Sequence, residues 1–131
     1  MNMSLRTEQY AFVRGHNPIA GLKVLIVEDE KILALDLESL LTDHGASEIL
    51  LAGSVREARK ILSQHADIAF VLLDLKLPDG CGTEVSAEID AVGIPSVITT
   101  GYSDYVSDST PVIYKPYSED KLLMTILSQL L

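Results

Sequence analysis

Residues Ile68 to Leu73 are apolar without interruption and run straight into Asp74. A strand with no polar side has both faces covered. That is the situation of a parallel strand inside an α/β sandwich, not of a half-solvated antiparallel one. The rest of the chain repeats the theme. Lys23–Val27, Glu48–Ala52, Pro95–Thr99 and Val112–Tyr114 read as four more short strands, and helical patterns lie between most of them. Strands alternating with helices predict an α/β fold: a doubly wound, five-stranded parallel sheet in the order 2-1-3-4-5.

The helices are legible from spacing and caps. Ile32, Leu33, Leu37, Leu40, Leu41 and His44 recur at threes and fours, and Gly45 supplies a stop. Ser54 reads as an N-cap with Glu57 at capping-box spacing, opening a helix with Val55, Ala58, Ile61 and Leu62 as its stripe. Thr83 is expected to cap a short helix reaching about Ala91. Ser118 caps the last helix, with Glu119 and Asp120 where the helix dipole favours them and Leu122, Leu123, Ile126, Leu127 and Leu130 facing inward. Only Gly101 to Thr110 separate strands four and five, and they are poor in helix formers, which predicts a short or mobile fourth helix. Residues 1–20 lack strong periodicity and read as an N-terminal extension, partly flexible, with a helical stretch over Glu8–Val13. Residues 21–131 form one domain.

Charge and composition exclude several functions. A net charge of −9 repels phosphate backbones, so nucleic-acid binding is not expected. No apolar run reaches the roughly 18 to 20 residues of a membrane span, and the N-terminus lacks a signal-peptide core. The single cysteine, Cys81, cannot form an internal disulfide, which suits a cytoplasmic location. It reads as an ordinary residue of a Gly-rich turn.

Ligands of open α/β sheets bind at the carboxyl ends of the strands. Five polar residues fall there: Glu28 and Asp29 after strand one, Asp74 after strand three, Thr100 after strand four and Lys115 after strand five. Carboxylate oxygens suit a hard cation such as Mg²⁺. Asp29 and Asp74 are the expected direct ligands, with Glu28 acting through water and the Lys76 main-chain carbonyl adding an oxygen. Asp74 is the candidate nucleophile, since a carboxylate can attack phosphorus to give an aspartyl phosphate. Lys115 and the Thr100 hydroxyl would then stabilise phosphoryl oxygens. The Lys115-Pro116 step is a rigid turn that aims the ammonium.

These residues resemble the receiver domain of two-component response regulators, from about Gly21 to Leu131. Glu28 and Asp29 match the acidic pair, Asp74 the phosphoacceptor, Thr100 the Ser/Thr position and Lys115-Pro116 the Lys-Pro step. Leu77-Pro78-Asp79-Gly80 is similar to the loop after the acceptor. The resemblance implies a flavodoxin-like receiver fold that uses Mg²⁺, with Mn²⁺ or Ca²⁺ as substitutes. It implies phosphoryl transfer from a sensor histidine kinase or a phosphotransfer protein. The output would be protein–protein contact through the face of helix four, strand five and the last helix, or service as a phosphate sink or relay. With no effector domain after Leu131, it implies a single-domain regulator. The position of the usual aromatic switch holds Val112, and Tyr114 is expected to face the other way. Thr100-Gly101-Tyr102 is similar to the FAT GUY receiver subfamily, which lacks that aromatic and whose kinases are often of the HWE type. The switch region is therefore read as Gly101, Tyr102, Val112 and Pro116, with Gly101–Thr110 ordering on phosphorylation.

Two other functions fit less well. A haloacid-dehalogenase-type phosphatase needs a second Asp two residues after its nucleophile, where this chain has Lys76. A degenerate receiver that binds partners without phosphorylation would have lost acceptor or acidic residues that this chain keeps. Self-modification without turnover of a separate product, and so no enzyme in the ordinary sense, is the expectation.

Overall fold

The computed structural model describes residues 17–131. The expected helix over Glu8–Val13 lies outside the described residues. Five strands form one sheet: β1 (Lys23–Val27), β2 (Glu48–Ala52), β3 (Phe70–Asp74), β4 (Ser96–Thr100) and β5 (Val112–Tyr114). All four pairings are parallel, and the order is β2-β1-β3-β4-β5. Among the described residues, four helices complete the fold: α1 (Lys31–Asp43), α2 (Val55–Gln64), α3 (Thr83–Ala91) and α4 (Glu119–Leu130). Between β3 and α3 a small antiparallel hairpin pairs Lys76 with Cys81 and Leu77 with Gly80.

Two-sided burial follows the sequence pattern. One core layer packs Val24, Ile26, Phe70, Leu72 and Val97 against Leu37, Leu40 and Leu41 of α1 and Leu122, Leu123, Ile126 and Leu127 of α4. The opposite layer packs Leu25, Val27, Val71, Leu73 and Ile98 against Val55 and Ala58 of α2 and Val85 and Ile89 of α3. Every residue of β3 is buried. Each such aliphatic side chain contributes about 1.5–3 kcal/mol, so the central strand is the most firmly held part of the sheet.

Several local expectations need correction. Ile32 is not on the buried stripe of α1 but 79% exposed, while Ala34 takes the inward place, because the face that meets the sheet begins two residues later. Ser54 caps α2 by accepting from the Glu57 amide, but the Glu57 carboxylate bonds the Gly53 N–H instead of the Ser54 N–H of a capping box. Thr83 does not cap α3: Gly82 holds the N-cap position and no side chain caps that end. Ser118 caps α4 as read, accepting from Lys121 N–H. Gly45 ends α1 with φ of 100°, a conformation open to glycine.

The β4–β5 connection holds no helix at all. The expected short fourth helix is replaced by turns and bends. Side chains supply the hydrogen bonds that a helix ladder would have made. The Ser107 hydroxyl accepts from the Ser109 and Thr110 amides, and the Ser109 and Thr110 hydroxyls donate to the Asp90 carboxylate at the end of α3. Hydroxyl residues that compete for backbone partners disfavour a helix interior, and this segment is rich in them.

Candidate functional site

The chain leaves β1 to form β2 on one side and returns to place β3 on the other. The crevice at the carboxyl ends of β1 and β3 is therefore the topological switch point of the sheet. Glu28 and Asp29 follow β1 directly and Asp74 is the last residue of β3, so three carboxylates meet there by topology. One oxygen of each lies within 4.8 Å of the others. Glu28 and Asp74 are buried and Asp29 is exposed.

Lys115 reaches this cluster from the far side of β4. Its ammonium donates to Glu28 Oε1 at 3.1 Å and to Asp74 Oδ2 at 3.0 Å. Its backbone amide donates to the Thr100 carbonyl at 2.8 Å, fixing the turn that launches the side chain. The Lys115–Pro116 bond is cis. The remaining oxygens have backbone donors: Glu30 N–H to Glu28 Oε2 at 3.1 Å and Lys76 N–H to Asp74 Oδ1 at 3.2 Å. The Asp29 carboxylate has no such partner among the described residues. Gly82 closes the floor, since a Cβ there would lie 2.8 Å from the Asp74 carbonyl oxygen, nearer than backbone can give way.

Among the described residues the charge in the cluster is unbalanced, with three carboxylates facing one ammonium. Burial, joined by the neighbouring Asp74 charge, pushes the Glu28 carboxyl up from 4.5 to about 7, against the opposing pull of the Glu30 amide and Lys115. Burial draws the Lys115 ammonium down, but its bonds to Asp74 and Glu28 outweigh that and the net shift is upward. The folded state thus holds a proton on Glu28 more tightly than the unfolded chain does. The contribution of Glu28 to stability falls as pH rises from about 4.5 through about 7 and is flat beyond. Glu28→Gln removes that penalty. Without divalent cations, urea unfolding at about pH 8 is expected to show a gain of about 1–3 kcal/mol over the parent, shrinking toward zero near pH 4.

A pocket of about 390 Å³ opens over the cluster, lined by Asp29, Glu30, Asp74, Lys76, Gly101, Tyr102 and Lys115. Thr100 is not part of that lining. It ends β4 as expected, but it is 1% exposed and its Oγ1 accepts from Tyr102 N–H at 3.1 Å, leaving the hydroxyl proton to donate. In the switch region, Tyr102 is exposed at the pocket rim, Val112 is half-buried in the α2/α3 core layer and Pro116 is exposed. Tyr114 does not face away from Val112 as expected: two residues apart on one strand, they share a face, and the Tyr114 hydroxyl donates to the Tyr105 carbonyl, tying β5 to the β4–β5 connection. Cys81 is exposed and unbonded to sulfur.

The sequence pattern described as the response regulator receiver domain matches residues 24–127. The chain belongs to the response regulator receiver family. Among curated relatives, the receiver is 35% identical to the transcriptional regulatory protein DpiA of Escherichia coli K12 over 117 residues. That match covers 82% of this chain and 51% of DpiA. It is 32% identical to the phyllosphere-induced regulator PhyR of Methylorubrum extorquens over 107 residues, covering 72% of this chain and 38% of PhyR. The chain thus spans about half the length of these relatives or less. Among solved structures, it superposes on the response regulator TrrA of Thermotoga maritima in complex with Mg²⁺-BeF with a TM-score of 0.72 at 28% identity. That superposition covers 84% of this chain and 99% of TrrA. Receiver domains of two-component systems interact with histidine kinases or phosphotransfer proteins, and a phosphoacceptor role fits this receiver in general terms. Among the described residues no helix is long and apolar enough to cross a membrane.

Two residues in or beside the site were not singled out in the sequence. In the sequence Asp79 is only one residue of the loop after the acceptor, and its contacts lie 23 and 24 residues away, beyond any local pattern. Tyr117, two residues past Lys115, has a buried hydroxyl without a hydrogen-bond partner among the described residues, and burial pushes its phenol up. An aromatic directly after Lys-Pro was the available signal for it.

Proposed function

We propose that this receiver accepts a phosphoryl group on Asp74 from a phosphohistidine. The observation that carries the reading is the Asp74 carboxylate itself, held between the Lys76 amide on Oδ1 and the Lys115 ammonium on Oδ2 at the floor of an open pocket. An Asp74 oxygen forms the new O–P bond as the P–N bond of the donor breaks. The electron pair goes to the leaving imidazole nitrogen, which takes up a proton. Lys115 then exchanges a carboxylate partner for a phosphoryl oxygen, and the Thr100 hydroxyl, its proton unused within the fold, donates to another. The change is self-modification of the chain, later reversed by hydrolysis, and no separate product is turned over.

The donor set fits Mg²⁺. Three carboxylate oxygens converge within 4.8 Å, hard donors whose charge one ammonium does not cancel. Asp29 and Asp74 would hold the ion with the Lys76 carbonyl. Glu28, bonded to the Glu30 amide and to Lys115, would act through water. Mn²⁺ or Ca²⁺ would substitute. When bound, the cation supplies charge neutralisation for the transferring group.

The donor would be a sensor histidine kinase, of the HWE type if the Thr100-Gly101-Tyr102 likeness extends to partners, or a phosphotransfer protein. The output would be contact with a protein target, or a sink or relay role. The connecting segment, β5 and α4 offer the surface, with Tyr102, Val106 and Tyr114 exposed on it. The exposed Cys81 thiol suits a reducing cytoplasm.

Cation dependence tests this reading. Phosphoryl uptake from acetyl phosphate, followed by intact mass, is expected to disappear in excess EDTA and return with Mg²⁺. Asp29→Asn should raise the Mg²⁺ concentration for half-maximal uptake by about tenfold or more. Uptake that persists in EDTA at the same rate would refute it.

A further inference from the structure

The hairpin after Asp74 has two-residue arms, Lys76–Leu77 and Gly80–Cys81, and hairpins of that size do not hold themselves in water. Leu77 is buried in the α2/α3 core layer, and a second, polar anchor is remote. Asp79, at its tip, accepts from the Val55 amide on Oδ1 at 2.8 Å and from the Arg56 amide on Oδ2 at 3.0 Å. Those are the first two free N–H groups of α2, and the third, Glu57, goes to the local cap Ser54 at 3.0 Å. The helix end is therefore capped by two residues with different reach: Ser54 belongs to α2 alone, and Asp79 joins α2 to the hairpin.

The hairpin in turn touches the acceptor. Lys76, three residues before Asp79, donates its amide to Asp74 Oδ1, and Gly82 N–H closes the base on the Leu75 carbonyl at 2.7 Å. We infer that Asp79 is a positioning residue. Docked on the N-terminus of α2, it holds the hairpin so that the Lys76 amide keeps the Asp74 carboxylate turned with one oxygen toward Lys115 and the pocket. The inference rests on Asp74 being the acceptor, but the hydrogen-bond relay it describes can be measured without phosphorylation.

Ser54 provides the control, because Ser54→Ala strips a partner from the same helix end without touching the hairpin. Wild type, Asp79→Ala, Asp79→Asn and Ser54→Ala would be compared in two readouts. One is the rate of phosphoryl uptake from acetyl phosphate at saturating Mg²⁺. The other is hydrogen exchange of the Lys76 amide, normalised to the β3 amides of the same protein so that global stability cancels. Asp79→Ala should slow uptake by about tenfold and speed Lys76 exchange, as expected when a reacting group loses its fixed orientation. Asp79→Asn, which keeps one acceptor oxygen, should recover part of both. Ser54→Ala should leave both within about twofold of wild type. Asp79→Ala matching wild type in both readouts, or Ser54→Ala matching Asp79→Ala, would overturn the inference. If wild type takes up no phosphoryl group the acceptor reading fails, and Lys76 exchange alone decides whether Asp79 orders the hairpin.

Discussion

Lys115→Met is expected to lower the stability of the metal-free protein by about 2–4 kcal/mol at about pH 8. Lys115 stands 3.1 Å from Glu28 and 3.0 Å from Asp74, whose side chains are 2% and 7% exposed. Breaking a buried pair is costly because the partner charge stays behind without compensation, and here two carboxylates would stay behind. Replacement by hydrophobic packing does not help, since methionine fills space but cancels no charge. The loss should depend on pH in a definite sense. Lys115 holds the Glu28 carboxyl down, so its removal moves that group above about 7 and widens the gap from the unfolded value of 4.5. The variant's folded state then binds a proton more tightly still, and its deficit grows as pH rises and shrinks toward pH 5. Mg²⁺ should restore much of the loss by binding only the folded state. Urea unfolding with and without Mg²⁺ at both pH values checks this. A loss below about 1 kcal/mol at pH 8, or one equal at both pH values, would mean that Lys115 is not the counter-ion of the cluster.

Asp74→Asn is expected to reduce phosphoryl uptake by about 100-fold or more, because an amide oxygen is a poor nucleophile and the two residues that orient Asp74 make no O–P bond themselves. The same variant should fold at least as well as the parent in the absence of divalent cations. It removes one of two buried carboxylates that repel each other and leaves Glu28 paired with Lys115. A protein that is stable, folded and unable to take phosphate separates the chemical role of Asp74 from any structural one. Uptake retained within about tenfold would point to another acceptor.

The fold and most of the site could be read from the chain because they depend on patterns that are local or imposed by topology. The unbroken apolar run ending at Asp74 required two covered faces, and that requirement brought Glu28, Asp29, Asp74 and Lys115 to one edge whatever the loop details. Strand bounds moved by a residue or two, as where Ile68 and Ala69 precede β3, since apolar character alone does not say where the ladder begins. What was not legible depends on groups far apart in sequence. Ile32 has helical spacing but points to solvent because the α1 axis, fixed by the sheet, decides which residues face in. Glu57 had a choice of amides and took Gly53. Thr83 has the chemistry of a cap, but the close approach of Gly82 to the Asp74 carbonyl sets where α3 starts. The β4–β5 connection could be seen to be poor in helix formers, but its anchoring to Asp90 could not, and neither could the reach of Asp79 to α2.

The central claim is that Asp74 carries the phosphoryl group. The measurement that meets it most directly is peptide-level mass mapping of protein incubated with Mg²⁺ and acetyl phosphate, with Asp74→Ala in parallel. One phosphoryl group on the peptide containing Asp74, absent from the variant and from an EDTA control, is the expected result. A phosphoryl group on another residue, or uptake undiminished in Asp74→Ala, would contradict the account.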